Sequence, residues 1–371
     1  MENNFIFRLF YNWWKNIDKV LLILILSLFV LGLFFSLVST SLIASDKLNT
    51  NSYYFFIKHL IFIFIAFFIL FTFSFFDEKK LISICLVLFA IFFICLALIP
   101  FIGIEVKGSR RWMEFGGPFP RFQPIELLKP FFIVLISIIL SRDKNIFSNY
   151  LLSSFVLASV AVLLITQPDL GQTLLILSTW LSLIFVSGVN LVFFFLFFIF
   201  IGSGIFYIIF FIPKFFYIKS RILSFFDPSS GNNYQSEKAS EAIINGGFFG
   251  QGMGEGTLNS KVPEAHTDYI VSVISEEFGA IIVVAIILIY LIFTYQVIKK
   301  IDLEKENKNK LILLGSISII LIQTLIHIGV NVRILPTTGM TLPFLSYGGS
   351  SIISTAIICG IILNLTKRKI N

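Results

Sequence analysis

Apolar residues in this chain come in long runs separated by polar breaks, not in the amphipathic stripes of a soluble helix or the strict alternation of a strand. Ten runs stand out, at about 20–43, 53–76, 81–103, 125–141, 151–168, 170–187, 190–212, 269–297, 311–334 and 344–366. Most reach the roughly 18 residues that a helix needs to cross about 30 Å of hydrocarbon. The pattern predicts an all-α polytopic membrane protein with about ten transmembrane helices. Barrel strands are excluded because they are short and alternate in polarity.

The polar stretches set the organisation. Residues 1–19 precede the first run, 104–124 and 213–268 form two substantial loops, and 367–371 close the chain. Lysine and arginine crowd one set of connections, including Arg8, Lys15, Lys79, Lys80, Arg142, Lys300 and Lys308, which marks that set as cytoplasmic. Both termini then lie inside, and 213–268 becomes a large periplasmic loop between the seventh and eighth helices. All 371 residues read as one membrane domain.

Composition agrees with this picture: 57% of residues are hydrophobic and 13% charged. A soluble domain carries about 25% charged residues. Cys85, Cys95 and Cys359 sit inside apolar runs without metal or redox spacing. The net charge of +7 accompanies no nucleic-acid motif, and topology accounts for most of it. Nonetheless Lys107, Arg110, Arg111, Arg121, Lys219 and Arg221 fall on the outer side, against the bias, and ask for an anionic partner there.

Charges at membrane depth usually face a protein-lined cavity and mark a pathway or a site. Glu126 and Lys129 lie three apart, on one helix face, where they can pair. Asp169 sits in a sharp turn and fits an N-cap for the next helix as well as a site residue. Asp268, Ser272, Ser275, Glu276 and Gly279 recur at helical spacing, an acidic and small-residue stripe that should look inward. Asp268 stands at the outer mouth of that helix, wet enough to stay ionised; it fits a base or a helix cap. The run Gly246 to Gly254 permits close backbone approach to a ligand, or makes a flexible lid. Arg333 ends the ninth run and precedes a broken turn rich in proline and glycine that leads to Ser346 and Tyr347.

Several motifs, in this order along the chain, resemble those of the SEDS family: Lys107-Gly-Ser-Arg110-Arg111-Trp112, Gln123-Pro-Ile-Glu126-Leu-Leu-Lys129-Pro, Gln167-Pro-Asp169-Leu-Gly-Gln-Thr, Glu264-Ala-His266-Thr-Asp268 and Leu342-Pro-Phe-Leu-Ser346-Tyr347-Gly-Gly-Ser-Ser. Gly339 to Phe344 is closer to the division-type members than to the elongation-type ones. The resemblance implies a peptidoglycan glycosyltransferase that polymerises lipid II at the outer face of the bacterial inner membrane. It implies a class B penicillin-binding protein and other division proteins as partners, at the division septum. Asp268 matches the family's essential aspartate, and Arg110, Arg111, Gln123, Glu126, Lys129, Asp169, Glu264, His266, Arg333, Ser346 and Tyr347 are the expected substrate-binding residues. No cofactor is identified, although a divalent cation, magnesium or manganese, would suit a diphosphate leaving group. Two positions depart from the pattern: Ile125 replaces a usual serine, and Thr338 a frequent lysine, for which Arg333 is a substitute. A lipid II flippase and a non-catalytic division scaffold stay open beside the polymerase.

Overall fold

The computed structural model describes residues 3–41, 53–106, 108–114, 116, 120–143, 145–227, 234–258 and 261–367. Each apolar run becomes a helix. In chain order the helices are α1 (Asn3–Asn16), α2 (Lys19–Ser41), α3 (Tyr54–Phe75), α4 (Glu78–Ile102), α5 (Pro124–Leu140), α6 (Ile146–Thr166), α7 (Leu170–Val186), α8 (Leu191–Phe211), α9 (Phe216–Phe226), α10 (Tyr234–Gly246), α11 (Ile270–Leu303), α12 (Asn307–Asn331) and α13 (Gly349–Leu365). Seven of them, α2, α3, α4, α6, α8, α11 and α12, are long and apolar enough to cross a membrane. Helices α5, α7 and α13 span 17 residues each.

Helix α5 runs through the middle of the bundle, buried without interruption from Pro124 to Val134. Around it pack α4, α12 and α13, while α8 leaves most of its phenylalanines exposed at the periphery. Gly360 of α13 lies so close to α3 that a Cβ there would stand 2.8 Å from the Leu70 carbonyl oxygen, the close approach that small residues give membrane helices. Cys85 and Cys359 are buried and Cys95 half-buried, all as free thiols.

One end of the bundle is closed by polar contacts. Trp13 of α1 donates its indole N–H to Ser74 at 2.8 Å and stacks on Phe75 with ring centroids 4.6 Å apart. Asp18 pairs with Lys300 at 2.5 Å and Glu78 with Lys308 at 3.1 Å. Two lysines of the basic set therefore lie together at this end.

The long polar segment before α11 is more ordered than its composition suggests, since α9 and α10 lie within it. Its glycine run also behaves unlike the expectation. Helix α11 is broken at Gly279, where φ is 83° and ψ 168°, a backbone state essentially reserved for glycine. Into this break slots the 246–252 segment: Gln251 and Gly252 donate to the Glu276 and Glu277 carbonyls at 2.8 and 3.1 Å, and Ala280 and Ile281 donate to Gly247 and Phe248 at 2.9 and 3.3 Å. The glycines admit α11 to the loop backbone. Gly279 is buried with Ser272, Ser275 and Glu276, as the inward stripe requires, but the helix is interrupted there.

Candidate functional site

At the end of the bundle opposite the Asp18 and Glu78 pairs, two turns face each other: 263–269, before α11, and 335–348, before α13. The first is tied by Glu264, whose φ of 55° is left-handed and whose carbonyl accepts N–H bonds from Thr267, Asp268 and Tyr269 at 3.0, 3.1 and 3.3 Å. Its carboxylate accepts the Thr267 hydroxyl at 3.2 Å. The second turn is stitched to the first, as Ser346 Oγ donates to the Thr267 carbonyl at 2.6 Å and Tyr347 N–H to the His266 carbonyl at 3.0 Å. The His266 ring lies 5.8 Å from the Tyr347 ring and 5.3 Å from Phe55.

Between these turns sits Asp268, half-buried. A Cβ on Gly339 would stand 3.6 Å from its Oδ2, so the missing side chain leaves room over the carboxylate. Asn331 of α12 holds the Asp268 backbone, donating to its carbonyl at 3.1 Å while accepting from Ser272 N–H at 3.2 Å. The carboxylate is thus placed by a rigid turn outside the helix, not on the face of α11.

A second polar group lies behind the 335–348 turn. Lys129 pairs with Glu126 at 2.7 Å and donates to Gln323 Oε1 at 3.0 Å; both charges are buried. Gln172 Nε2 donates to Glu126 at 2.5 Å. Gln323 donates in turn to the Thr341 carbonyl at 2.9 Å, and the Thr341 hydroxyl meets Ser351 Oγ at 2.7 Å. Asp169 does cap α7, accepting the Gln172 N–H at 3.4 Å, and is also the partner of Gln123 Nε2 at 3.0 Å and of Arg111 at 3.6 Å. Arg111 further donates to the Gln167 carbonyl at 3.2 Å and to that of Pro168. Burial raises the Asp169 carboxyl above the ordinary carboxylate range, and Arg111 opposes that rise.

Arg110 does not join this group. It and Arg111 are neighbours on the second strand of a hairpin, β1 (Ile104–Val106) with β2 (Ser109–Trp112), and successive strand residues point to opposite faces. Arg110 therefore faces out and pairs with Glu105 at 3.7 Å. Lys107 lies outside the described residues. Arg333 borders a separate cavity beyond α12. Sequence reasoning passed over Gln323, His327 and Asn331, which recur every fourth residue on α12: Gln323 and His327 meet the 335–348 turn, with His327 Nδ1 2.7 Å from the Met340 carbonyl, and Asn331 holds the Asp268 turn. The rule that polar groups in apolar helices mark sites would have found them. Among the described residues no group of three or more His, Cys, Asp or Glu side chains is placed to hold a metal ion.

A family model described as Cell cycle protein, spanning FtsW, RodA and SpoVE, matches residues 19–371. The chain belongs to the FtsW/RodA/SpoVE family. It is 34% identical over 284 residues to the probable peptidoglycan glycosyltransferase FtsW of Caulobacter vibrioides, covering 73% of this chain and 69% of that one. With the protein of the same name from Buchnera aphidicola subsp. Schizaphis graminum it shares 35% identity over 348 residues, 89% of this chain and 95% of that one. The FtsW/RodA/SpoVE fold is also seen in a solved chain from work on polymerization and crosslinking by a peptidoglycan synthase complex, with a TM-score of 0.75 at 24% identity, covering 94% of this chain and 97% of that chain.

Proposed function

We propose that this family member is an inverting peptidoglycan glycosyltransferase, polymerising lipid II into glycan strands at the outer face of the inner membrane during division. In this reading α5, α7 and α13 cross the bilayer with the seven longer helices, both termini are cytoplasmic, and 213–268 is periplasmic. The protein works at the septum with a class B penicillin-binding protein and other division proteins.

The observation that carries the reading is the placement of Asp268, a half-buried carboxylate fixed in a turn beneath the open space at Gly339. Asp268 takes the proton of the acceptor sugar hydroxyl as its oxygen bonds to the anomeric carbon of the donor. The bond from that carbon to the diphosphate breaks, and the diphosphate departs with the electron pair. Glu264 and His266, on the same turn, flank the acceptor, and Ser346 and Tyr347 fix the facing turn. Arg111 and Lys129 are already matched by Asp169 and Glu126, so they shape the floor of the site rather than meet the leaving group. Among the described residues no group of three or more His, Cys, Asp or Glu side chains is placed to hold a magnesium or manganese ion.

Glu276 favours the polymerase over a flippase. Its Oε1 accepts from Asn245 Nδ2 and Leu258 N–H at 2.9 Å each, which gives it a role in holding the loop and supports the polymerase over a path across the midplane. The test is polymerisation of purified lipid II by the purified protein, with and without its penicillin-binding partner. Glycan product in either condition is expected; none in both would overturn the reading.

A further inference from the structure

A cavity of about 330 Å³ opens between α9, the start of α10 and the turn that follows α12. Arg221 and Arg333 both line it, with Ser224, Tyr234, Pro263 and Thr337, and among the described residues no acidic one does. Arg221 also reaches across to the Thr337 carbonyl at 3.5 Å, tying α9 to the turn that carries Gly339. One residue, Thr338, separates Thr337 from Gly339, a reach of at most about 7 Å along the chain. Phe225 and the exposed Leu335 add apolar surface to its lining, and Phe226 and Ile334, next to them in the chain, are exposed as well.

The backbone at Arg333 adds an independent observation. Helix α12 ends in a Schellman motif: Ile334 N–H donates to Gly329 at 2.8 Å and Arg333 N–H to Val330 at 3.2 Å, with Arg333 at φ 59° in the left-handed position. Glycine is the usual occupant there because a Cβ is strained in that conformation. An arginine therefore stands where stability alone favours glycine, and it lines the cavity. Strain kept at one residue points to a role for the side chain.

We propose that this cavity seats a lipid-linked diphosphate, gripped by Arg221 and Arg333, with the lipid leaving over the apolar flank. Two guanidiniums suit two phosphoryl groups, since each can donate paired N–H bonds to phosphate oxygens. The assignment rests on the polymerase reading for its role, as the place where the leaving diphosphate is met. Arg221 enters the site through this cavity; no motif singled it out.

The experiment measures binding of undecaprenyl diphosphate to the full chain in detergent, with inorganic pyrophosphate and phosphatidylglycerol as competitors and the thermal midpoint as a second readout. Arg333→Gly should bind at least tenfold more weakly with a midpoint equal to or above wild type, Arg333→Lys should keep part of the binding, and Arg221→Lys should weaken it. Competition by pyrophosphate would make the free diphosphate a second source; its failure, with Arg333 still required, would leave the lipid-linked form as the source, and either supports the site. Unchanged binding in Arg333→Gly, a lowered midpoint accompanying its loss, or equal competition by phosphatidylglycerol would overturn it. If the wild-type protein makes no glycan from lipid II with or without its partner, it is the polymerase reading that fails, whatever the binding results.

Discussion

Replacing Gly279 by alanine tests whether the break in α11 and the loop docked in it are one structural unit. A methyl group at this position would run into the Phe248 carbonyl and the Gly250 amide, far inside van der Waals contact. The backbone state at φ 83° and ψ 168° also strains any residue with a Cβ, by about 1–3 kcal/mol. Relief requires the loop to withdraw, which breaks the bonds from Ala280 and Ile281 to Gly247 and Phe248. Two such bonds contribute about 1–3 kcal/mol together, more where lipid leaves the freed groups no water. The expected loss is about 2–6 kcal/mol, a large share of a total stability of about 5–15 kcal/mol. Gly247→Ala is the matched control: its φ is 55° but the space around it is open, so it should cost only about 1–2 kcal/mol. The assay is the thermal midpoint of both variants in detergent, followed by size-exclusion chromatography. Equal midpoints for the two would refute the account of the break.

Two other perturbations probe the charges behind the turn. Lys129→Met strips the buried Glu126 of its ion-pair partner and should destabilise by about 3–5 kcal/mol, whereas adding Glu126→Gln should recover much of the loss; chemical or thermal melts of the single and double variants check this. Arg111→Met removes the group that opposes the raised carboxyl of Asp169. A carboxyl raised on folding binds more protons in the folded state, so stability falls as pH climbs from about 3.9 to the raised value. In Arg111→Met that decline should extend to higher pH, and a thermal midpoint profile against pH identical to wild type would count against the pairing.

The helices were legible in the chain because a bilayer demands long apolar runs, a signal that survives without neighbours. The Glu126 and Lys129 pair and the Asp169 cap were legible too, since three-residue spacing and cap chemistry are local. Gly279 was not: one glycine costs a helix only about 1 kcal/mol against alanine, so the stripe from Asp268 reads straight through it. What breaks the helix there is a loop some thirty residues earlier in the chain, a tertiary fact. Arg110 and Arg111 look alike as a pair and part only once a strand turns one inward. Helices α9 and α10 hid in polar composition, and Arg333 showed its backbone strain only in three dimensions.

The central claim is that Asp268 is the base for glycan polymerisation, and the most direct test is the rate of polymer formation from purified lipid II by Asp268→Asn, assayed with its penicillin-binding partner beside wild type and Glu264→Gln. The substitution keeps size and hydrogen bonding but removes the base, so it should insert and fold normally yet lose about 10²–10⁴-fold in rate, with Glu264→Gln milder. A rate for Asp268→Asn within about threefold of wild type would contradict the account, because a positioned base contributes far more than that.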